Sequence, residues 1–227
     1  MSSNPHRVIL FANGELYSQN YVLQILKKGD YLVAVDGGLH HMTDMMLTPN
    51  LIIGDLDSAD PETVNHFTNL GVEVRKFPCD KNETDLELAL TAALEKDPVS
   101  ILIVAALGGR LDQSLANLFL LTRSDLTGRE IRLVDGKQEV LLIQGEAIIT
   151  GQVSQRVSLL PFCSPAKGIQ TSGLKFPLQD ETLYPDRTRG VSNQMDASSA
   201  KINCREGILL CIHETIDPTS TVVRKGE

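Results

Sequence analysis

Apolar and polar positions keep one rhythm in the first part of this chain and another after about residue 136. Up to that point, short apolar runs alternate with segments whose apolar positions recur at helical spacing. The runs at 7–12, 31–35, 51–53, 72–77, 100–106 and 131–134 predict buried strands. The segments at 18–28, 39–47, 61–71, 85–96 and 112–123 predict helices; Tyr21, Val22, Ile25 and Leu26 share one face of the first. Punctuation agrees with this reading. Gly29 and Gly71 are helix stops, and Thr48-Pro49 closes the second helix. Ser58 or Asp60 caps the third, whose first turn takes Pro61. Thr84-Asp85-Leu86-Glu87 is a capping box for the fourth. Strand alternating with helix predicts a parallel sheet with helices on its faces.

Beyond residue 136 the period shortens. Runs at 139–150, 153–160, 168–173 and 207–213 read as strands, with Gly, Pro, Ser and Asn between them and no helical segment. These predict a small antiparallel β-sandwich. The expected fold class is α/β: an N-terminal Rossmann-like domain with a parallel sheet, then a C-terminal antiparallel β-sandwich. A boundary at 136–145 gives expected domains 1–138 and 139–227, docked without a flexible linker.

Composition narrows the function classes. A formal net charge of -8 over 227 residues argues against non-specific nucleic-acid binding. No apolar stretch approaches the ~20 residues of a membrane span, and the run at 8–12 is too short for a signal sequence. Cys79, Cys163, Cys204 and Cys211 show no C-x-x-C spacing, so reduced thiols, a cytoplasmic setting and no zinc site are expected. With no Trp, aromatic stacking falls to six Phe and four Tyr.

Candidate chemistry centres on residues 51–58, where three apolar residues lead into Gly54 and then Asp55-Leu56-Asp57-Ser58. Ligands of open α/β sheets bind beyond the carboxyl ends of the strands. Two hard carboxylates there suit Mg²⁺, which takes one or two carboxylates plus substrate phosphates. An acidic loop with a helix cap explains Asp55-x-Asp57 equally well by itself. Asp36-Gly37-Gly38 ends the second strand, admits close backbone approach and turns a helix N-terminus toward a phosphate. Lys81 suits a phosphate and Asp85 a metal, although capping explains Thr84 and the helix dipole explains Asp85. In Gly108-Gly109-Arg110-Leu111-Asp112-Gln113, Arg110 offers a planar donor fork. Asp112 also reads as a helix cap, and Asn117 alone reads as a surface residue. Asp36, Asp55 and Asp112 are expected along one edge of the sheet. There is no Walker loop, no G-x-G-x-x-G and no G-x-S-x-G. His40-His41 reads as a solvated helix face.

Asp36-Gly37-Gly38, Gly54-Asp55-Leu56-Asp57-Ser58, Lys81-x-x-Thr84-Asp85 and Gly109-Arg110-x-Asp112-Gln113 stand in an order and spacing that resembles the thiamine pyrophosphokinase (thiamine diphosphokinase) family. Thr171-Ser172-Gly173-Leu174-Lys175-Phe176 and Gly190-Val191-Ser192-Asn193 resemble the motifs of that family's sandwich domain. The resemblance implies an α/β catalytic domain and a thiamine-binding, dimerising β-sandwich in a homodimer. It implies Mg²⁺-dependent transfer of a diphosphate group from ATP to the hydroxyl of thiamine, giving thiamine diphosphate and AMP. On this resemblance Asp55, Asp57 and Asp85 are metal ligands, and Asp36 joins them as a nearby catalytic carboxylate. Lys81, Thr84, Arg110, Asp112, Gln113 and Asn117 form the nucleotide side. Phe176, Ser192 and Asn193 form the thiamine side, reached across the dimer interface. Some members place Trp where Phe176 stands, and Phe offers a smaller stacking face. The expected partners are thiamine and ATP, with neither nucleic acid nor membrane. Two other readings compete: a metal-dependent glycosyltransferase holding a sugar nucleotide through Asp55-x-Asp57, and a non-catalytic sensor of nucleotide or thiamine.

Overall fold

The computed structural model describes residues 6–215. They fall into two compact units that divide between Gly136 and Lys137. The first unit runs Arg7–Phe11 (β1), Gln19–Ile25 (α1), Tyr31–Val35 (β2), Leu39–Asp44 (α2), Leu51–Gly54 (β3), Pro61–Asn69 (α3), Glu73–Lys76 (β4), Asp85–Leu94 (α4), Ser100–Val104 (β5), Leu111–Leu120 (α5) and Glu130–Val134 (β6). All its strand pairs are parallel, in the order β4-β3-β2-β1-β5-β6. The predicted parallel α/β architecture is present.

Apolar runs, rather than alternating patterns, follow from burial on both faces. Ile9, Phe11, Ala34, Ile52 and Val104 pack with Val22 of α1, Leu39 and Met42 of α2 and Phe67 of α3. The intervening residues Val8, Leu10, Val33, Ile53 and Ile103 are equally buried, and α4, through Leu86, Ala89, Leu90 and Ala93, adds a buried face against β1, β2 and β3.

Several helices are shorter than the periodicity predicts. α1 stops at Ile25, because Leu26 is already extended, and Gly29 lies beyond its end. α2 ends at Asp44, ahead of Met46, whose φ is +54°. Asp60 caps α3 by accepting the Thr63 N–H at 2.9 Å, which decides between it and Ser58. Thr84 caps α4 by accepting the Glu87 N–H at 3.3 Å. At α5 the cap position belongs to Arg110, so Asp112 is not a cap.

The second unit contains Gln138–Thr150 (β7), Arg156–Pro161 (β8), Ala166–Ser172 (β9), Gln179–Leu183 (β10), Asn193–Gln194 (β11) and Ser199–Glu214 (β12). Its pairs are all antiparallel. β12 pairs with β9 along its first half and with β8 along its second, while β7 follows it throughout. A register shift between Cys204 and Leu209 bends the strand between these partners. Ile143, Val157, Leu159, Ile169, Leu183, Ile202 and Leu209 meet in the core that the sheet encloses. Among the described residues this unit has no helix, and no helix among the described residues of either unit is long and apolar enough to cross a membrane.

Candidate active site

The order of parallel strands reverses at β1, which has β2 on one side and β5 on the other. Beyond the carboxyl ends there lies a cleft of about 730 Å³. Such a switch point is where open α/β sheets bind ligands, because the loops diverge and leave a crevice. Two non-glycine residues lining it have positive φ, Asp36 at +48° and Ala105 at +54°, as does Leu56 at +63°, between the lining residues Asp55 and Asp57. Backbone held this way costs about 1 kcal/mol or more per residue and concentrates at functional sites.

Gly54 makes the acidic wall possible. Its φ is +146°, and a Cβ there would lie 3.0 Å from Asp36 Cβ and 3.2 Å from Asp85 Oδ1. Around it, Asp36, Asp55, Asp57 and Asp85 all line the cleft. Asp85 Oδ1 accepts the Asp55 N–H at 3.1 Å, and Asp36 Oδ1 accepts the Ser58 N–H at 3.3 Å. Asp55 Oδ1 accepts the Asp57 N–H at 3.3 Å, and Asp57 Oδ1 accepts the Ser58 hydroxyl at 3.0 Å. Carboxylate oxygens of Asp36, Asp55 and Asp85 lie within 4.8 Å of one another, as do ligand atoms of Asp55, Asp57 and Cys79. The oxygen set is the chemistry that Mg²⁺ prefers, and the soft Cys79 thiol adds nothing for so hard an ion.

Lys81 stands among these carboxylates. Its Nζ is 2.9 Å from Asp55 Oδ2 and 3.0 Å from Asp85 Oδ1. The Lys81 bond holds the Asp55 carboxyl below the usual range. Burial opposes the charge on Lys81, but the bonds to Asp55 and Asp85 outweigh it and raise the ammonium above its ordinary value. Asp36 goes the other way: burial, only partly offset by N–H donors from Gly37 and Ser58, pushes its carboxyl up.

The opposite wall is the loop after β5. Arg110 lines the cleft with Gln113, and its guanidinium is paired with Asp112, whose own side chain is exposed and outside the lining. Asp112 therefore does not share the rim with Asp36 and Asp55. Asn117, expected at the surface, is 7 % exposed. Its Nδ2 donates to the Ala106 carbonyl at 2.7 Å, while Oδ1 is buried without a partner. Thr84 also lines the cleft.

Two features escaped the sequence reading. Glu15, just past β1, lines the cleft, accepts the Gly109 N–H at 2.9 Å and receives the Tyr17 hydroxyl. Its position after an apolar run and Asn13-Gly14 was the available signal. The reading of His40-His41 as one solvated face is corrected: His40 is exposed, but His41 is buried and bonds the Gly14 carbonyl through Nε2 at 2.9 Å. A carbonyl only accepts, so Nε2 carries the proton. Burial pushes the His41 pKa down.

In the second unit, Phe176 is half exposed, and its backbone is clasped by Asn193. Asn193 Oδ1 accepts the Phe176 N–H at 3.0 Å and Nδ2 donates to its carbonyl at 2.7 Å. Ser192 has a φ of +59°, with its N–H on Ser158 Oγ at 3.1 Å.

Comparison with known proteins agrees along the chain. The family model described as thiamin pyrophosphokinase, catalytic domain, matches residues 22–133. The one described as thiamin pyrophosphokinase, vitamin B1 binding domain, matches 147–209. A thiamine pyrophosphokinase of Bacillus subtilis is 30 % identical over 185 residues, spanning 81 % of this chain and 86 % of the relative. Thiamine pyrophosphokinase 1 of Oryza sativa subsp. japonica is 27 % identical, over 79 % of this chain and 77 % of its own. Among solved structures, the Bacillus subtilis thiamine pyrophosphokinase superposes with a TM-score of 0.82 at 27 % identity, covering 93 % of this chain and 100 % of that one. Thiamin pyrophosphokinase from Candida albicans, at 17 % identity, shares the fold with a TM-score of 0.75 over 94 % of this chain and 91 % of its own. These relatives do not favour the glycosyltransferase or sensor readings. Family models across both units, a 30 % identical relative matched over most of both chains and a shared fold lead to one conclusion: the chain belongs to the thiamine pyrophosphokinase family.

Proposed function

We propose that this chain transfers the diphosphate group of ATP to the hydroxyl of thiamine, giving thiamine diphosphate and AMP, with Mg²⁺ as cofactor. The observation that carries this is the meeting of Asp36, Asp55, Asp57 and Asp85 on one wall of a cleft at the switch point of the sheet. We assign Asp55, Asp57 and Asp85 to the ion. When bound, Mg²⁺ supplies charge neutralisation and polarisation of phosphoryl oxygens. Lys81 and Arg110 bind the polyphosphate, Arg110 through the donor fork that pairs with Asp112.

The thiamine hydroxyl oxygen forms a bond to the β-phosphorus, the bond from that phosphorus to the oxygen bridging the α-phosphorus breaks, and AMP leaves. Chemistry of this kind depends on positioning and charge stabilisation. We assign the hydroxyl proton to Asp36. Burial raises its pKa toward the range of an effective base, whereas Asp85 Oδ1 already accepts from Asp55 and Lys81. On the nucleotide side, the unpartnered Oδ1 of Asn117 accepts an N–H of the base, with Thr84 and Gln113 as further polar contacts. Phe176, Ser192 and Asn193 are assigned to thiamine on the family resemblance, with the half-exposed Phe176 ring as the stacking face. A homodimer and a cytoplasmic setting are part of the same proposal. The test is the nucleotide product: incubation with Mg²⁺, ATP and thiamine releases AMP, and release of ADP instead overturns the reading.

A further inference from the structure

We propose that Lys81 is the built-in counter-cation of the acidic wall, holding Asp55 and Asp85 together until a divalent ion displaces it. The inference rests on the reading that Asp55, Asp57 and Asp85 hold that ion. Its evidence is competition for particular atoms. Asp55 Oδ1 already accepts the Asp57 N–H, and Lys81 Nζ sits on the other oxygen, Oδ2, at 2.9 Å. The same ammonium is 3.0 Å from Asp85 Oδ1. The Lys81, Asp55 and Asp85 side chains are only 11 %, 12 % and 24 % exposed, so water screens the carboxylates little. Without a cation, the Asp36, Asp55 and Asp85 oxygens, within 4.8 Å of one another, would repel strongly.

Placement suits a charge that must leave. Lys81 precedes the Thr84 cap of α4 in a stretch without helix or strand, so its stem is not fixed by the helix. A divalent ion alone evicts the ammonium from Asp55 and Asp85 without bringing an anion to receive it. A polyphosphate arriving with the ion supplies that anion. Metal and polyphosphate binding are therefore positively coupled through Lys81, and the coupling is reciprocal.

The experiment uses Mn²⁺ as probe, read by its electron paramagnetic resonance signal, with no nucleotide or thiamine present. Lys81→Met binds Mn²⁺ about tenfold more tightly than the parent chain, since a competing unit charge has gone. Its thermal midpoint in EDTA is lower than the parent's and rises further on adding Mn²⁺. Inorganic triphosphate tightens Mn²⁺ binding more in the parent than in Lys81→Met. Lys81→Arg, which keeps the charge, retains the parent's midpoint in EDTA. If Lys81→Met does not fold, Lys81→Gln removes the charge and keeps hydrogen-bonding capacity. Equal Mn²⁺ affinity in parent and neutral variant overturns the counter-cation role while leaving the metal assignment standing. Failure of both to bind Mn²⁺ overturns the metal assignment and this inference with it.

Discussion

Asp85 Oδ1 accepts the backbone N–H of Asp55 at 3.1 Å, tying the first residue of α4 to the residue that follows β3. One carboxylate thus serves both as a proposed ligand and as a clamp on a partly buried backbone donor. Asp85→Ala leaves that N–H without its acceptor and should cost about 1–3 kcal/mol of stability, together with turnover. Asp85→Asn keeps an oxygen for the N–H, so its denaturation midpoint stays near the parent's while turnover is lost. Equal stability of the two variants in chemical denaturation would count against the clamp.

Asp57 separates chemistry from scaffold. Its backbone N–H and carboxylate bond within the 55–58 turn, to Asp55 and Ser58, and α3 is capped by Asp60 instead. Asp57→Asn is expected to abolish AMP release with little change in thermal midpoint. Retained turnover with a large fall in midpoint would assign Asp57 to the fold.

At residue 54 the expected cost is steric. Gly54→Ala brings a methyl to within 3.0 Å of Asp36 Cβ in a backbone conformation that side chains rarely adopt. A loss of about 1–3 kcal/mol in denaturant unfolding is expected, with a fall in kcat as the acidic wall spreads.

The pH dependence of stability has a traceable part in His41. Its folded pKa is lowered by burial, so below about pH 6.5 the unfolded chain binds the proton more readily. His41 therefore contributes stability that is whole above the ordinary histidine value and is lost as pH falls toward the folded pKa. His41→Gln, which can still donate to the Gly14 carbonyl, should flatten the fall in thermal midpoint between about pH 7 and pH 5. An unchanged slope would place the dependence elsewhere.

Much of the first unit was legible as text because strands buried on both faces must be apolar throughout, and helices between them must carry one apolar face. Caps such as Thr84 were readable because their bonds reach only three residues along the chain. β10 and β11 were missed. Gln179–Leu183 has one fully buried residue, Leu183, and pairs only with β9 across register shifts, so its polar residues carry no strand signal. His41 was misjudged, and Asn117 read alone looked like a surface residue, because burial of a polar side chain depends on a distant carbonyl, of Gly14 and of Ala106 respectively.

Residue order alone was enough for the alternating architecture, the turn at Gly54 and the kinds of side chain that end each strand, since these follow from local sterics and from period. It could not say which charges touch. Lys81 and Asp55 are 26 positions apart, and Asp85 and Asp55 are 30 apart. The parallel register of β1, β2 and β3 and the seating of α4 against them bring these groups together, while Asp112, on a similar motif, is exposed and outside the cleft lining. Packing of whole elements sets such distances, and an electrostatic contact of 3 Å exists only after that packing is complete.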